Sequence, residues 1–135
     1  MKILIMGLPG SGKTTLARAL AKKIGATHFN ADEVRATISR DLGFSHEDRI
    51  EHAKRMRKLC DEARTEYVIA DFVCPTEETR KAFGKVFTIW MDRISQGRFE
   101  DTNKLFEPPK KVNMVIFNGY TVDEEVQMVL ERIYD

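Results

Sequence analysis

The sequence predicts an α/β fold: a three-layer α/β/α arrangement around a five-stranded, mostly parallel sheet. Two observations indicate this class. Short apolar runs alternate with segments of helical period along the chain, and a glycine-rich turn directly follows the first apolar run. The 135 residues suit a single domain, 1–135, with one hydrophobic core.

Each element follows from its own local pattern. Apolar and β-branched runs predict strands at residues 2–6, 27–29, 67–73, 86–91 and 113–117. Helical spacing and capping signals predict helices at residues 16–24, 31–42, from 45 onward, 75–83 and from 121 onward. Ser45-x-x-Asp48 and Thr121-x-x-Glu124 are the capping signals of the third and last helices. Residues 93–111 lack a clear period and contain a Pro-Pro pair and several basic residues, so we expect a mobile lid there.

The composition excludes several classes of protein. Hydrophobic residues make up 42% and charged residues 32%, as in a water-soluble globular domain. The net charge of +1 gives no bulk electrostatic reason to bind nucleic acid or an anionic membrane, so neither partner is expected. The first apolar run, residues 3–6, is far shorter than the roughly 20 residues of a membrane span. Two cysteines suit a reduced compartment, and we expect a cytoplasmic protein.

The turn after the first strand reads GLPGSGKT, residues 7–14, and matches the phosphate-binding pattern G-x-x-x-x-G-K-[ST]. Glycines let successive backbone N–H groups point inward, and the helix N-terminus that follows favours an anion. We expect Lys13 to reach the β- and γ-phosphates of ATP, and Thr14 to bind Mg²⁺ through its hydroxyl. The alternative is an ordinary glycine-rich turn with a surface lysine. The residues predicted to hold the phosphates are Gly7, Pro9, Gly10, Ser11, Gly12, Lys13, Thr14 and Thr15.

The motif leaves the fate of the γ-phosphate open, because the same turn serves switches, motors and small kinases. A chain of 135 residues leaves little room for switch regions beyond the core. This size favours a compact kinase of the P-loop NTPase class that acts on a small-molecule acceptor.

Candidate acceptor-binding residues lie in the second and third helices. Asp32 follows the second strand, at the sheet edge that carries the phosphate loop, where a carboxylate can hold the attacking hydroxyl. Arg35 lies one turn later and can pair with an acceptor anion. Arg49 and His52 fall on the apolar face of the third helix near its N-terminus, which indicates anion recognition. The alternatives are helix capping for the aspartate, internal ion pairs for the arginines and a satisfied core histidine.

Two further residues follow the third strand. Asp71 ends that strand, a position from which a carboxylate helps to hold nucleotide-bound Mg²⁺, although an acid is also common in turns. Cys74 opens the next segment and is predicted to be a small buried residue rather than a reactive thiol.

In the predicted lid, two arginines and two aromatic residues are candidates for contact with substrate. Arg93 and Arg98 can neutralise charge on the transferred group, and the alternative is solvated surface arginines. Phe99 and Phe106 can stack on a base or pack the loop down.

Several segments of the chain together resemble a known family. In the first half they are residues 30–35 (NADEVR), 41–45 (DLGFS), 48–49 (DR) and 51–52 (EH), spaced without gaps. In the second half they are residues 72–75 (FVCP), Phe99 and residues 106–109 (FEPP). Together they resemble the adenylylsulfate kinase family over nearly the whole chain, more closely in the first half.

The resemblance implies a P-loop kinase fold and transfer of the ATP γ-phosphoryl group, with Mg²⁺, to the ribose 3′-hydroxyl of adenylyl sulfate, a step of sulfate assimilation. It implies that Asp32 acts on that hydroxyl and that Arg35 and Arg49 bind the phosphosulfate. Phe44 and Phe99 would enclose the adenine, and His52 and Val73 would line the acceptor site. The implied partners are small nucleotide substrates, with a homodimer as one possible assembly.

The chain departs from the family pattern at four points. His52 stands where the family has Asn, Cys74 where it has Ser, and Asp71 where it usually has a small residue. Residues 92–99 are far shorter than the family's lid. Two other functions therefore remain open: a kinase of another hydroxyl, such as a nucleoside, a modified base or a 5′-OH nucleic-acid end, and an ATP-binding protein with little turnover.

Overall fold

The computed structural model describes residues 1–93 and 104–134. Within them a five-stranded sheet has the order β2-β3-β1-β4-β5, and every neighbouring pair of strands is parallel. The strands are β1 (Lys2–Met6), β2 (Thr27–Asn30), β3 (Val68–Asp71), β4 (Phe87–Met91) and β5 (Met114–Ile116). The predicted α/β fold with five parallel strands is confirmed.

Helices cover both faces of the sheet. They include α1 (Lys13–Ile24), α2 (Ala31–Thr37), α3 (His46–Glu62), α4 (Glu77–Phe83) and α5 (Val122–Ile133). Ile3 and Ile5 of β1 belong to an apolar cluster with α1 and α5, whereas Leu4 and Met6 belong to a second cluster with α2, α3 and α4. Successive strand side chains point to opposite faces, so a central parallel strand needs apolar residues at every position. Within residues 1–93 and 104–134, none of the helices has the length and apolar character to cross a bilayer.

Capping residues begin three helices where the sequence predicts them. Ser45 Oγ accepts a hydrogen bond from the Asp48 N–H at 3.1 Å, at the start of α3. Thr76 and Thr121 each form a reciprocal capping box with the residue three positions later. These bonds satisfy backbone donors that the first turn of a helix leaves open. The Asp48 carboxylate accepts from the Gly43 N–H at 3.0 Å, which ties the preceding loop to α3.

Helix α2 is shorter than its apolar pattern predicts. The pattern extends to residue 42, but the helix ends at Thr37, and Ile38 is 59% exposed. Arg55 of α3 accounts for the turn, because its guanidinium donates to both carboxylate oxygens of Asp41 at 2.8 and 2.9 Å and to the Ser39 hydroxyl at 3.3 Å. These contacts draw residues 39–41 towards α3, and helical periodicity carries no information about them.

The predicted lid is described only at its two ends. Residues 94–103, which include Arg98 and Phe99, lie outside the described residues. At the far end, the Phe106 ring stacks on Trp90 with 6.4 Å between centroids, and the Arg80 guanidinium lies 5.1 Å above the ring. Phe106 therefore packs against the body of the domain, one of the two roles predicted for it.

The carboxyl ends of β1, β2 and β3 meet at one edge of the sheet. Gly7 begins the phosphate loop after β1, Asn30 is the last residue of β2, and Asp71 is the last residue of β3. Ligands bind at this edge in open parallel sheets, so the fold brings the predicted phosphate, acceptor and metal residues to one place.

Candidate functional site

A cleft of about 1200 Å³ lies at this edge of the sheet. It brings together most of the residues predicted to form the site. These are Pro9, Gly10, Gly12, Lys13, Thr14, Thr15, Asp32, Arg35, Phe44, Arg49, His52, Asp71 and Val73. Gly7 and Ser11 are buried parts of the loop and do not line the cleft, and Phe99 lies outside the described residues.

Backbone geometry makes two glycines of the loop irreplaceable. Gly7 has φ +153°, and a Cβ there would lie 2.7 Å from the Met91 carbonyl oxygen. Gly12 has φ +90° at the N-cap of α1, and a Cβ there would lie 2.9 Å from an Arg93 guanidinium nitrogen. Only glycine adopts such positive φ at low cost, so any other residue at these two positions would strain the loop.

Lys13 is the first residue of α1 and is only 9% exposed. Its ammonium donates to the Leu8 carbonyl at 3.0 Å, so the side chain folds back over its own loop. Burial lowers the pKa of Lys13, and the nearby carboxylates of Asp71 and Asp32 oppose that change. The loop therefore holds the partly desolvated Lys13 ammonium at the mouth of the cleft, where the negative charge of a phosphate group would stabilise it.

A hydrogen-bonded network joins the phosphate loop to the ends of β2 and β3. Asp71 is 1% exposed, and its Oδ1 accepts from the Thr14 hydroxyl at 2.9 Å and from the Asn30 amide at 3.1 Å. The Asn30 amide also donates to the Thr14 oxygen at 3.0 Å. The other oxygen, Asp71 Oδ2, contacts His28 Nε2. Three side chains, one from α1 and two from β2, thus fix the buried carboxylate at the end of β3 beside the loop.

Thr14 and Asp71 together suit a divalent cation. Mg²⁺ prefers oxygen ligands, and it usually takes one or two from protein and the rest from phosphates and water. The contact between the Thr14 hydroxyl and the carboxylate provides such a pair at the loop. Among residues 1–93 and 104–134 no cluster of three His, Cys, Asp or Glu side chains could hold a metal ion by itself. The Thr14 hydroxyl and the Asp71 carboxylate fit a cation whose remaining ligands are phosphate and water oxygens.

Two arginines share one aromatic ring on the acceptor side. The Arg35 guanidinium lies 4.4 Å from the centre of the Phe44 ring, and that of Arg49 lies 5.6 Å from it. Arg35 Nη1 donates to the Gly43 carbonyl at 2.7 Å, and Arg49 Nε donates to the Phe44 carbonyl at 3.1 Å. Burial lowers the pKa of both arginines, and Arg49 lowers that of Arg35 further. Two like charges held this close are suited to an anion.

His52 is buried in the wall of the cleft, with 3% of its surface exposed. Neither ring nitrogen has a hydrogen-bond partner among the described residues. Its ring meets Phe72 edge-on, with centroids 6.1 Å apart. Burial lowers the pKa of His52 to about 4, with further lowering by Arg35 and Arg55. A buried imidazole whose two nitrogens lack hydrogen-bond partners destabilises the folded chain. Such a residue is suited to contact with a ligand, which can supply the missing hydrogen bonds.

Asp32 and Cys74 occupy different positions in the same cleft. Asp32 is exposed in the first turn of α2, where its carboxylate is accessible to a ligand. Cys74 is 1% exposed with φ +46°, and burial raises its pKa to about 12. The thiol is therefore protonated at neutral pH, which agrees with the predicted role of a small buried residue.

Arg93 is one of the two arginines of the predicted lid. The sequence predicts that it either neutralises charge on the transferred group or is a solvated surface arginine. Its side chain is only 17% exposed, forms an ion pair with the buried Glu125 of α5 and donates to the Ser11 carbonyl at 3.2 Å, so it is not a solvated surface arginine. Arg93 is thus held against the phosphate loop, because Glu125 supplies a partner from the end of the chain that no local pattern reveals.

Sequence reasoning also missed His28 and Asn30 as members of the site. Asn30 carries a detectable signal, because it is the N-cap of α2 and its side chain accepts from the Glu33 N–H at 3.0 Å. The position of His28 depends on the register of β2 with β3 and has no equivalent local signal.

Comparison with known sequences agrees with the geometry of the cleft. The family model described as Adenylylsulphate kinase matches residues 1–95. The adenylyl-sulfate kinase of Bacillus licheniformis is 42% identical over 86 residues, which are 58% of this chain and 43% of that protein. The bifunctional enzyme CysN/CysC of Rhodopirellula baltica is 36% identical over 91 residues, 62% of this chain and 14% of that protein. The chain therefore matches less than half the length of these two relatives.

Solved structures share the fold. The APS kinase CysC of Mycobacterium tuberculosis, solved with AMPPNP and APS, has a TM-score of 0.82 at 20% identity, covering 99% of this chain and 97% of that chain. The hexameric APS kinase from Thiobacillus denitrificans has a TM-score of 0.79 at 27% identity, covering 98% of this chain and 28% of that chain. The family match over residues 1–95 includes the phosphate loop, Asp32 and the paired arginines, and on that match the chain belongs to the adenylylsulphate kinase family.

Proposed function

We propose that this chain transfers the γ-phosphoryl group of ATP to the 3′-hydroxyl of adenylyl sulfate. One observation carries the proposal: a single cleft joins the phosphate loop, Asp32 and the cluster of Arg35, Phe44 and Arg49. Phosphoryl transfer asks of a protein mainly that it align two substrates and stabilise negative charge. Family membership and relatives named adenylyl-sulfate kinase support the same activity.

On the donor side, the loop would hold the phosphates of ATP. The Lys13 ammonium would leave the Leu8 carbonyl for the β- and γ-phosphates, since these oxygens compensate its charge better than a neutral carbonyl does. Mg²⁺ would be held by the Thr14 hydroxyl with Asp71 behind it, and when bound it would neutralise phosphate charge. The full phosphate-binding set is Gly7, Pro9, Gly10, Ser11, Gly12, Lys13, Thr14 and Thr15.

On the acceptor side, Asp32 would orient the attacking hydroxyl. The hydroxyl oxygen forms the new bond to the γ-phosphorus, the bond to the β-phosphate oxygen breaks, ADP leaves, and the hydroxyl proton passes to the Asp32 carboxylate. Arg35 and Arg49 would bind the phosphosulfate. The remaining acceptor-binding residues in the proposal are Phe44, His52, Val73 and Phe99.

The direct test is incubation of the folded chain with ATP, Mg²⁺ and adenylyl sulfate, with separation of the nucleotide products. We expect ADP and a 3′-phosphorylated product in equal amounts. A matched reaction without acceptor reports ATP hydrolysis alone. If the chain binds ATP but forms no phosphorylated product, adenylyl sulfate is not its acceptor.

A second candidate is a kinase of a different hydroxyl. His52 favours it, because an imidazole offers one hydrogen-bond donor and one acceptor in a different geometry from the Asn that the family resemblance predicts there. Labelled ATP with a panel of nucleosides, modified bases and 5′-OH oligonucleotides distinguishes the two candidates. A faster reaction with any of these than with adenylyl sulfate would replace the first proposal.

Location and assembly are further proposals. A cytoplasmic location is supported by Cys60 and Cys74, which are both buried and free.

The proposed assembly is a homodimer. Light scattering during gel filtration tests it, and a mass of one chain would exclude it.

A further inference from the structure

Arg93 lies directly behind the phosphate loop and contacts three separate segments. Nη1 donates to the Ser11 carbonyl at 3.2 Å, and Nε and Nη2 approach the Phe117 carbonyl at 3.4 and 3.3 Å. Nη2 also forms the ion pair with Glu125. The planar guanidinium therefore joins the loop to the end of β5 and to α5, an arrangement that the single ammonium of a lysine could not reproduce.

The contact with Ser11 orients a peptide group that matters for phosphate binding. In a trans peptide the carbonyl of one residue and the N–H of the next point in opposite directions. Since Arg93 holds the Ser11 carbonyl from behind, the Gly12 N–H points away from Arg93. Gly12 lines the cleft and is the N-cap of α1, so this N–H belongs to the group of donors at the helix N-terminus.

Hydrogen bonds within the loop converge on the Leu8 carbonyl, from the Ser11 N–H at 3.2 Å and the Lys13 ammonium at 3.0 Å, and do not hold the Ser11 carbonyl. Gly12 is the N-cap of α1 and has no side chain that could hold the peptide, and glycine populates its φ of +90° as readily as negative φ values. Ser11 Oγ is buried without a hydrogen-bond partner among the described residues. Without a guanidinium behind it, the peptide between Ser11 and Gly12 could rotate and turn its N–H away from the cleft.

Glu125 keeps Arg93 in place and is 2% exposed. It lies on α5, and a buried carboxylate needs a charged partner. We propose that Arg93 is a positioning residue which, anchored by Glu125, holds the Ser11–Gly12 peptide in the orientation that binds polyphosphate. The inference rests on the proposed function only in requiring that the loop binds the phosphates of a nucleotide.

The test uses inorganic tripolyphosphate and ATP as probes in calorimetric titrations. The main variant is Arg93→Met combined with Glu125→Gln, which removes the ion pair without leaving a buried charge. We expect the dissociation constants for both probes to rise about tenfold, while adenylyl sulfate binds within twofold of the wild type. The dissociation constants of Arg93→Lys should lie between those of the wild type and the double variant, because lysine keeps the positive charge but cannot make the several hydrogen bonds of a guanidinium. Arg18→Met removes an exposed arginine from α1 and is the matched control, expected to change nothing.

Thermal unfolding of each variant separates this role from a purely structural one. If the double variant loses stability but binds tripolyphosphate within twofold of the wild type, the ion pair only stabilises the fold and the inference is overturned. If the wild type binds no polyphosphate, the proposed function itself fails and the inference fails with it. If the wild type binds polyphosphate but does not phosphorylate adenylyl sulfate, only the proposed acceptor is wrong.

Discussion

The buried, neutral His52 predicts a specific dependence of stability on pH. Its pKa in the folded chain is about 4, against the usual 6.5, because burial and the charges of Arg35 and Arg55 disfavour the imidazolium. At about 1.4 kcal/mol per pH unit, this difference corresponds to about 3 kcal/mol. Between pH 6.5 and pH 4 the unfolded chain binds a proton that the folded chain does not, so the free energy of unfolding falls as the pH falls. Above pH 6.5 the histidine makes no contribution to this slope.

The measurement is urea unfolding at several pH values between 7 and 4, compared with His52→Gln. The variant has no imidazole at this position, so its stability should lose about 3 kcal/mol less than that of the wild type over this range. All other titrating groups are common to both proteins and cancel in the difference. Parallel curves for the two proteins would mean that His52 is protonated equally in the folded and unfolded chains, and the account of its environment would be wrong.

Three further predictions concern the proposed reaction. Lys13→Ala should lower kcat/KM for ATP by ~1000-fold or more, because it removes the partly desolvated cation that lines the cleft; activity within ~10-fold of wild type, measured by ADP release, would contradict this. Arg49→Ala should raise the KM for the acceptor about tenfold with little change in kcat, since the phosphosulfate that it is proposed to bind carries the same charge in the ground and transition states; initial rates at varied acceptor concentration measure it, and an unchanged KM would remove Arg49 from the site. Asp71→Asn keeps the size of the side chain and removes its charge, so a Mg²⁺ titration of activity should shift to about tenfold higher concentration; an unchanged titration would limit Asp71 to a structural role.

The fold could be predicted because its determinants are local. β1 is apolar at every position after Lys2, which is the pattern of a strand covered on both faces, and its bounds agree with the prediction. Thr121 and Glu124 mark the start of α5 through hydrogen bonds that span three residues. The end of α2 could not be predicted, because it depends on the distant Arg55.

The acceptor side and the donor side of the candidate site also differ in whether their determinants are local in the sequence. The acceptor side is local. Asp48, Gly43, Arg35, Phe44 and Arg49 are linked in one chain of contacts. All five lie within fifteen consecutive residues, 35–49, so a short stretch of sequence specifies the candidate anion site and a resemblance over that stretch can reveal it.

The donor side of the cleft is specified differently. The phosphate loop is recognisable as a motif, but groups from the rest of the chain help to hold its shape. Asp71 contacts it through the Thr14 hydroxyl, and Arg93 contacts it through the Ser11 carbonyl. Glu125 anchors Arg93 in turn. A substitution in α5 could therefore weaken nucleotide binding without touching the motif. A related chain could keep the motif G-x-x-x-x-G-K-T but lack Asp71, Arg93 and Glu125. Its sequence would predict ATP binding, but we expect it to bind ATP poorly.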